Sequence, residues 1–193
     1  AGIVGEDGET HQGAFDISYL SAIPNMTLLA PRDEASMHDA VNYAYAHQGP
    51  IAIRYPRGSF NPLCERFEHT SFEYGKAQRL KEASTSTLII GYGNGVGKGI
   101  SVIDELQKQG YDAALVDLRF AKPLDEVCLV ALASQYSQWY VISDSAKIGG
   151  VGSMILELKE RKKLNVSIQS FEYSDTFITH GATHLIEDRL KIS

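Results

Sequence analysis

Residues 87–99 read TLIIGYGNGVGKG, an apolar stretch followed by a segment in which glycine occupies every second position from 91 to 99. The apolar stretch predicts a buried strand, and the spacing of Ile100, Ile103 and Leu106 predicts a helix over 96–108. A glycine turn between a strand and a helix is also where dinucleotide-binding folds place their phosphate loop. The glycines fit neither G-x-G-x-x-G nor the Walker spacing, which favours a tight turn over the nucleotide-binding alternative.

Strands and helices alternate along the rest of the chain. The other predicted strands are 2–5, 25–31, 51–55, 74–80, 113–120, 139–143 and 166–171. The other predicted helices are about 12–23, 33–48, 125–135, 151–162 and 184–192. Residues 59–71 have no periodicity and are interpreted as a linker between two units. The pattern predicts an α/β fold with mostly parallel sheets covered by helices.

The predicted helix over 33–48 has a favourable N-cap in Asp33. Its apolar residues recur at helical spacing, which predicts one buried face. They are Met37, Ala40, Val41, Ala44 and Tyr45.

The composition argues against several classes of protein. The chain has 18 Lys and Arg against 24 Asp and Glu, a net charge of −6, which argues against nucleic-acid binding. No stretch approaches the roughly 18 apolar residues of a membrane span, and the start lacks a signal-peptide layout. Cys64 and Cys128 lie far apart and predict neither a disulfide framework nor a zinc site. We expect a cytoplasmic protein, and the apolar opening after Ala1 indicates a piece of a longer chain.

Two patterns offer weaker candidate sites. Residues 149–153, GGVGS, open a predicted helix and could hold an anion, although close packing of the helix start is the favoured interpretation. His180 and His184 have the spacing of two ligands on one helical face. The glutamate of an H-E-x-x-H site is missing between them, and Gly181 disfavours a continuous helix, so a metal site is not expected.

Asp7, His11 and Arg57 form the more informative constellation. They follow predicted strands, where open α/β sheets bind ligands at the carboxyl ends of their strands. A guanidinium beside Pro56 and Gly58 suits phosphate binding, and His11 can exchange a proton near neutral pH. The alternative is structural, with the histidine and the arginine capping helices or pairing with nearby acids such as Asp16 and Asp33.

Longer motifs extend this constellation along nearly the whole chain. They are GEDGETHQGAFD at 5–16, RYPRG at 54–58, VDLRF at 116–120, KPLD at 122–125 and GGVGS at 149–153. Together they resemble the 1-deoxy-D-xylulose-5-phosphate synthase family of the thiamine-diphosphate-dependent transketolase superfamily. The resemblance implies the end of a pyrimidine-binding domain over 1–60, a linker over 61–71 and a transketolase C-terminal domain over 72–193.

The resemblance also implies an activity for the longer parent enzyme. That enzyme would decarboxylate pyruvate on thiamine diphosphate with Mg²⁺ and join the two-carbon unit to D-glyceraldehyde 3-phosphate, towards isoprenoids, thiamine and pyridoxal. By resemblance, Arg57 binds the acceptor phosphate, and Asp7 and His11 contact its hydroxyl and aldehyde oxygens. His11 is the candidate proton donor to the new alkoxide. A homodimer in a bacterial cytoplasm is implied as well.

The family's thiamine-activating glutamate and G-D-G metal motif do not occur in this sequence. We therefore expect no cofactor or metal on this chain alone, and no turnover by it. Ser143-Asp144-Ser145 departs from the two adjacent acids common in the family, so no catalytic role is assigned there. Two alternatives are a 2-oxo acid dehydrogenase β subunit, which would not need Arg57, and a non-catalytic dimerisation module.

Overall fold

A computed structural model describes residues 2–190 of the chain. The helices are α1 (Asp16–Ser21), α2 (Glu34–Ala46), α3 (Asn94–Lys108), α4 (Glu126–Ala133), α5 (Val151–Lys162) and α6 (Thr183–Leu190). The strands are β1 (Thr27–Leu29), β2 (Ile51–Ile53), β3 (Gln78–Lys81), β4 (Thr87–Gly91), β5 (Ala114–Asp117), β6 (Phe120–Lys122), β7 (Gln138–Ala146) and β8 (Ser167–Tyr173). Within this range, no helix combines the length and apolar character that crossing a membrane requires.

The larger sheet has five strands in the order β3-β5-β4-β7-β8. All its pairings are parallel except that of β3 with β5, which is antiparallel. Successive side chains on a strand point to opposite faces, so a strand buried on both sides reads as a continuous apolar stretch. This sheet confirms the predicted α/β fold with mostly parallel strands.

The two faces of β4 show how helices cover this sheet. Leu88 and Ile90 pack in one core cluster with Leu129 of α4 and Ile155 of α5. The residue between them, Ile89, packs in a second cluster on the other face, together with Val96, Ile100 and Ile103 of α3. Alternate residues of one strand therefore hold helices on opposite sides of the sheet.

A smaller three-stranded sheet has the order β2-β1-β6. β1 and β2 are parallel, whereas β6 is antiparallel to β1. The prediction of one strand over 113–120 is therefore wrong, because the chain leaves the large sheet after Asp117 and joins the small sheet at Phe120. Arg119, between the two strands, has a φ of 56°. This left-handed residue makes the break in the extended chain.

The segment predicted as a linker contains a short 3₁₀ helix, Pro62–Arg66. Its Cys64 is buried in the same core cluster as α3. The following residues are held by two buried arginines: Arg32 donates to the carbonyl oxygens of Phe67 and Glu68, and Arg119 donates to those of Thr70 and Ser71. The segment between the two sheets is thus packed and hydrogen-bonded over much of its length.

The structure corrects the predicted strand over 2–5. Gly2 forms only an isolated antiparallel bridge to Gly13, and the chain then turns through a 3₁₀ helix, Gly5–Asp7. The two backbone hydrogen bonds between Gly2 and Gly13 close the loop that contains His11. At the other end of the chain, the predicted closing helix over 184–192 corresponds to α6, and its last two residues lie outside the described part.

Candidate functional site

Asp7 and Arg57 meet at the surface as an ion pair. Asp7 ends the 3₁₀ helix Gly5–Asp7, and Arg57 lies in the turn that follows β2. The next residue, Gly58, has a φ of +103° with nothing within 4 Å of an added Cβ, so the turn faces open space. The Arg57 side chain is 60% exposed and that of Asp7 is 31% exposed. An exposed guanidinium with one carboxylate partner retains donors that an anionic ligand can engage.

His11 lies four residues after Asp7 in the same loop. Its backbone N–H donates to the carbonyl of Gly8 at 3.1 Å, which turns the loop back on itself. Its Nδ1 lies 3.0 Å from the hydroxyl oxygen of Thr10, and the side chain is exposed. A hydrogen bond at Nδ1 helps to set the tautomer, so that Nε2 is the ring nitrogen available to a substrate.

The two acids named in the structural alternative have other partners. Asp33 caps α2 by accepting from the backbone N–H of Ser36 at 2.8 Å. Asp16 accepts from the guanidinium of Arg54 at 2.9 Å. Both carboxylates are thus engaged in holding the fold, whereas Arg57 pairs with Asp7.

Residues 180–183 pack against the loop that contains Asp7 and His11. The Gly181 N–H donates to the carbonyl of Gly5 at 3.4 Å. An added Cβ on Gly5 would lie 2.9 Å from the hydroxyl oxygen of Thr183, and one on Gly8 would lie 3.6 Å from Cβ of His180. An apolar cluster beneath the loop joins both ends of the chain, with Ile3, Ala14, Tyr173, Ile178 and Ile186 as its buried members. Sequence reasoning missed this contact, since it considered His180 only as a metal ligand.

Arg54 is the second feature that sequence reasoning missed. It directly follows β2 and is buried, and its guanidinium is hydrogen-bonded on several sides. Nε donates to Asp16, Nη1 to the Asp144 carboxylate, and Nη2 to the carbonyl oxygens of Gly13 at 2.9 Å and Asp144 at 2.7 Å. Burial opposes its charge, but the carboxylates of Asp144 and Asp16 outweigh that effect and raise the pKa of Arg54. The signal was available in RYPRG, which contains two arginines.

The glycines of 91–99 are explained by packing. A Cβ on Gly95 would lie 1.9 Å from the carbonyl oxygen of Ile142, and one on Gly97 would lie 2.6 Å from the side chain of Asn61. The first turn of α3 thus lies directly against β7 and the connecting segment. This contact supports the tight-turn interpretation over the nucleotide-binding one.

The glycines of 149–153 surround a carboxylate of the chain itself. Glu172 Oε1 accepts from the backbone N–H of Gly152 and from the hydroxyl of Ser145, both at 3.1 Å. A Cβ on Gly152 would lie 2.4 Å from Glu172 Oε2. The group that fills the start of α5 is therefore the chain's own Glu172 side chain, which supports close packing as the role of these glycines.

The described residues do not fit a metal centre. Between residues 2 and 190, no group of three or more His, Cys, Asp or Glu side chains could hold a metal ion. The chemistry that the described site can perform is anion binding by Arg57, hydrogen bonding by Asp7 and proton exchange by His11.

Two family models match the chain. The transketolase pyrimidine-binding domain matches residues 1–62, and the transketolase C-terminal domain matches residues 75–193. The curated relatives include 1-deoxy-D-xylulose-5-phosphate synthases of Campylobacter jejuni subsp. doylei, 52% identical over 99% of this chain, and of Sulfurimonas denitrificans, 51% identical over 98%. The chain spans 31% of the length of each of these relatives.

Solved structures show the same fold. A split-gene transketolase, described as an inactive β4 tetramer, has a TM-score of 0.79 at 24% identity over 96% of this chain and 59% of its own. A transketolase from Campylobacter jejuni has a TM-score of 0.65 at 20% identity over 98% of this chain and 28% of its own. At such identities the likeness concerns the fold alone.

Proposed function

Since the chain belongs to the transketolase family and is homologous to the C-terminal part of 1-deoxy-D-xylulose-5-phosphate synthases, we propose that it forms the acceptor-binding part of such a synthase. The family implies thiamine diphosphate dependence of that whole enzyme. The observation that carries the proposal is the exposed Arg57 guanidinium paired with Asp7 beside the His11 loop. Relatives about half identical to this chain are named for this synthesis.

In this proposal Arg57 binds the phosphate of D-glyceraldehyde 3-phosphate. A dianionic phosphate competes for the guanidinium, and two N–H groups can then bind two of its oxygens. Asp7 accepts a hydrogen bond from the acceptor hydroxyl. The ion pair seen between Asp7 and Arg57 thus holds the two groups ready at one side of the site until the substrate replaces part of it.

His11 handles the proton at the other end of the acceptor. Its imidazolium donates a hydrogen bond to the aldehyde oxygen, and as the carbon–carbon bond forms that oxygen becomes an alkoxide. The proton passes from the ring nitrogen to the alkoxide, leaving neutral imidazole, which is reprotonated from solvent. The other substrate is pyruvate, which loses CO₂ and supplies the two-carbon unit.

The proposal places the whole enzyme at the entry to isoprenoid, thiamine and pyridoxal synthesis, as a homodimer in a bacterial cytoplasm. Thiamine diphosphate and Mg²⁺ are then bound by parts of the enzyme outside this sequence. We also propose that this chain by itself is inactive, and that residues 1–60 and 72–193 belong to two domains joined by 61–71.

Steady-state kinetics of the whole enzyme carrying Arg57→Ala tests the phosphate role. We expect the KM for D-glyceraldehyde 3-phosphate to rise about 10- to 100-fold, since charge-assisted hydrogen bonds contribute roughly 1.5–3 kcal/mol each. The KM for pyruvate should change little. Arg66→Ala is the matched control, because Arg66 is also an exposed arginine paired with one carboxylate, that of Asp104. Equal effects of Arg57→Ala on both substrates contradict the proposal.

His11→Ala tests the proton role in the same assay. We expect kcat to fall about 100-fold or more, the usual contribution of a positioned general acid, with a smaller change in the acceptor KM. His38→Ala is the control, since His38 is an exposed histidine on α2. An unchanged kcat and acceptor KM for His11→Ala would return His11 to a structural role.

A further inference from the structure

Arg54 links the parts of the chain that carry the proposed acceptor site. It lies three residues before Arg57, with Pro56 between them. Through Gly13 and Asp16 it also holds the end of the loop that begins near Asp7. One buried side chain thus contacts the supports of both halves of the site.

The third support comes from the large sheet. Asp144, at the end of β7, accepts from Arg54 through both its carboxylate and its backbone carbonyl. The Arg54 and Asp144 side chains are each only 8% exposed. Losing either partner would leave the other charge buried and uncompensated, which strongly disfavours any arrangement that separates the two side chains.

Asp144 is itself held in place. The side-chain amide of Asn94, the first residue of α3, donates to Asp144 Oδ2 at 3.1 Å. Gly2 is pressed against the same carboxylate, since an added Cβ there would lie 2.2 Å from Oδ2. Gly2 in turn exchanges backbone hydrogen bonds with Gly13 at 2.9 and 2.8 Å. The carboxylate is therefore anchored to α3, to β7 and to the base of the His11 loop.

We propose that Arg54 and Asp144 are positioning residues for the acceptor site, through which the large sheet sets the placement of Arg57 relative to Asp7 and His11. Both side chains of the pair are buried, so we assign them no direct contact with substrate. The effect of the pair is to hold the phosphate-binding turn and the loop at one spacing. This inference rests on the proposed function, because it concerns how the same site recognises a phosphorylated acceptor.

The test compares Arg54→Lys and Asp144→Asn in the whole enzyme with Arg57→Ala. The readout is the ratio of kcat/KM for D-glyceraldehyde 3-phosphate to kcat/KM for unphosphorylated D-glyceraldehyde. We expect each variant to lower this ratio about tenfold or more, because displacing a binding group by about 1 Å can change rates by two orders of magnitude. The KM for pyruvate should stay unchanged. Asp104→Asn, at an exposed ion pair, is the control and should leave the ratio unchanged.

The double variant Arg57→Ala with Asp144→Asn separates positioning from general loss of structure. If Asp144 acts through Arg57, adding Asp144→Asn to Arg57→Ala lowers the ratio no further. Independent effects of the two changes, or equal losses with both acceptors, overturn the inference. If Asp144→Asn does not yield folded enzyme, Asn94→Ala takes its place and should give a smaller loss of the same kind.

The outcomes also distinguish the inference from the function on which it rests. A ratio that Arg57→Ala lowers and that Arg54→Lys and Asp144→Asn leave unchanged overturns the positioning role alone. A ratio that Arg57→Ala leaves unchanged overturns the proposed function and the inference with it.

Discussion

The carboxylate of Glu172, on β8, accepts a hydrogen bond from the backbone N–H of Gly152 in the first turn of α5, at 3.1 Å. The positive end of a helix stabilises a carboxylate, and here the chain supplies that carboxylate itself. Burial is the larger effect, and it raises the pKa of Glu172. The start of α5 thus depends on an acid whose charged form is disfavoured by its surroundings.

This relationship predicts a pH-dependent difference between the natural chain and Glu172→Gln. An acid with a raised pKa in the folded state contributes stability below its ordinary value of 4.5 and loses it as the pH rises through the folded value. Glutamine does not titrate, so it lacks this loss. As the pH rises above 4.5, the free energy of unfolding of the unsubstituted chain should therefore fall relative to that of Glu172→Gln. Urea unfolding of both chains at several pH values measures this. A difference that does not vary with pH would refute it.

Gly95→Ala should destabilise the chain more than Gly99→Ala, although both lie in α3. The added Cβ at 95 would lie 1.9 Å from the backbone carbonyl oxygen of Ile142, which cannot move without displacing β7. At 99 the nearest atom is a side-chain methyl carbon of Ile89, at 2.9 Å. We expect a loss of about 3 kcal/mol or more at 95 and about 1 kcal/mol at 99, where helix propensity offsets the crowding. Equal losses by urea unfolding would contradict this packing.

Asp117→Asn should reduce the free energy of unfolding by about 3–5 kcal/mol, the usual loss when a buried ion pair is broken. Asp117 is 1% exposed and accepts from Arg32 Nη1 at 3.2 Å and from the backbone N–H of Arg119 at 3.0 Å. Asp104→Asn removes an exposed ion pair with Arg66 and should lose less than about 1 kcal/mol. Similar losses for Asp117→Asn and Asp104→Asn in thermal or urea unfolding would contradict the larger contribution expected of the buried pair.

The two cysteines should differ in reactivity. Burial raises the pKa of the Cys64 thiol to about 12, and Cys64 is only 1% exposed. Cys128 is half-buried, and burial also raises its pKa. At about pH 8 iodoacetamide should label Cys128 first, and Cys64 only as the chain unfolds, because the thiolate is the reactive form. Peptide mapping after timed labelling measures both rates, and in urea they should converge. Equal rates in the folded chain would contradict the burial of Cys64.

Much of the fold follows from periodicity. The sequence over 87–91 is apolar at every position between its ends because β4 is covered on both faces, and such a stretch identifies a central strand. The same reasoning misplaces the break after β5. Residues 113–120 are mostly apolar, with Asp117 and Arg119 as the exceptions, and they read as one strand. In the structure the left-handed Arg119 lies between two strands that belong to different sheets. A single backbone angle leaves no signal in a hydrophobic pattern.

The helix stripe was less informative than its spacing suggests. Of the five stripe residues only Ala40 is buried, while Val41 is 49% and Tyr45 is 94% exposed. A stripe shows which residues are apolar, but which neighbour covers them is decided by tertiary packing. The prediction of the stripe was therefore wrong at those two positions.

The candidate site also combines residues that local patterns predict with a contact that only tertiary packing produces. Motif and strand position brought Asp7, His11 and Arg57 to attention, and the structure pairs Asp7 with Arg57. The contact of Arg54 with Asp144 spans 90 positions of sequence. Such a contact between distant segments follows from how the sheets pack, and no local pattern indicates it.

The antiparallel pairing of β6 with β1 has a consequence for how this sequence can be divided. A cut or recombination point anywhere within 61–71 would leave β1 and β2 on one piece and their third strand on the other. Two homologues exchanged at that point must therefore match at the backbone register of Leu28 with Lys122 and Leu29 with Phe120, as well as in their cores. The hydrogen bonds between β1 and β6 need residues from both pieces, so the two pieces must remain compatible in sequence.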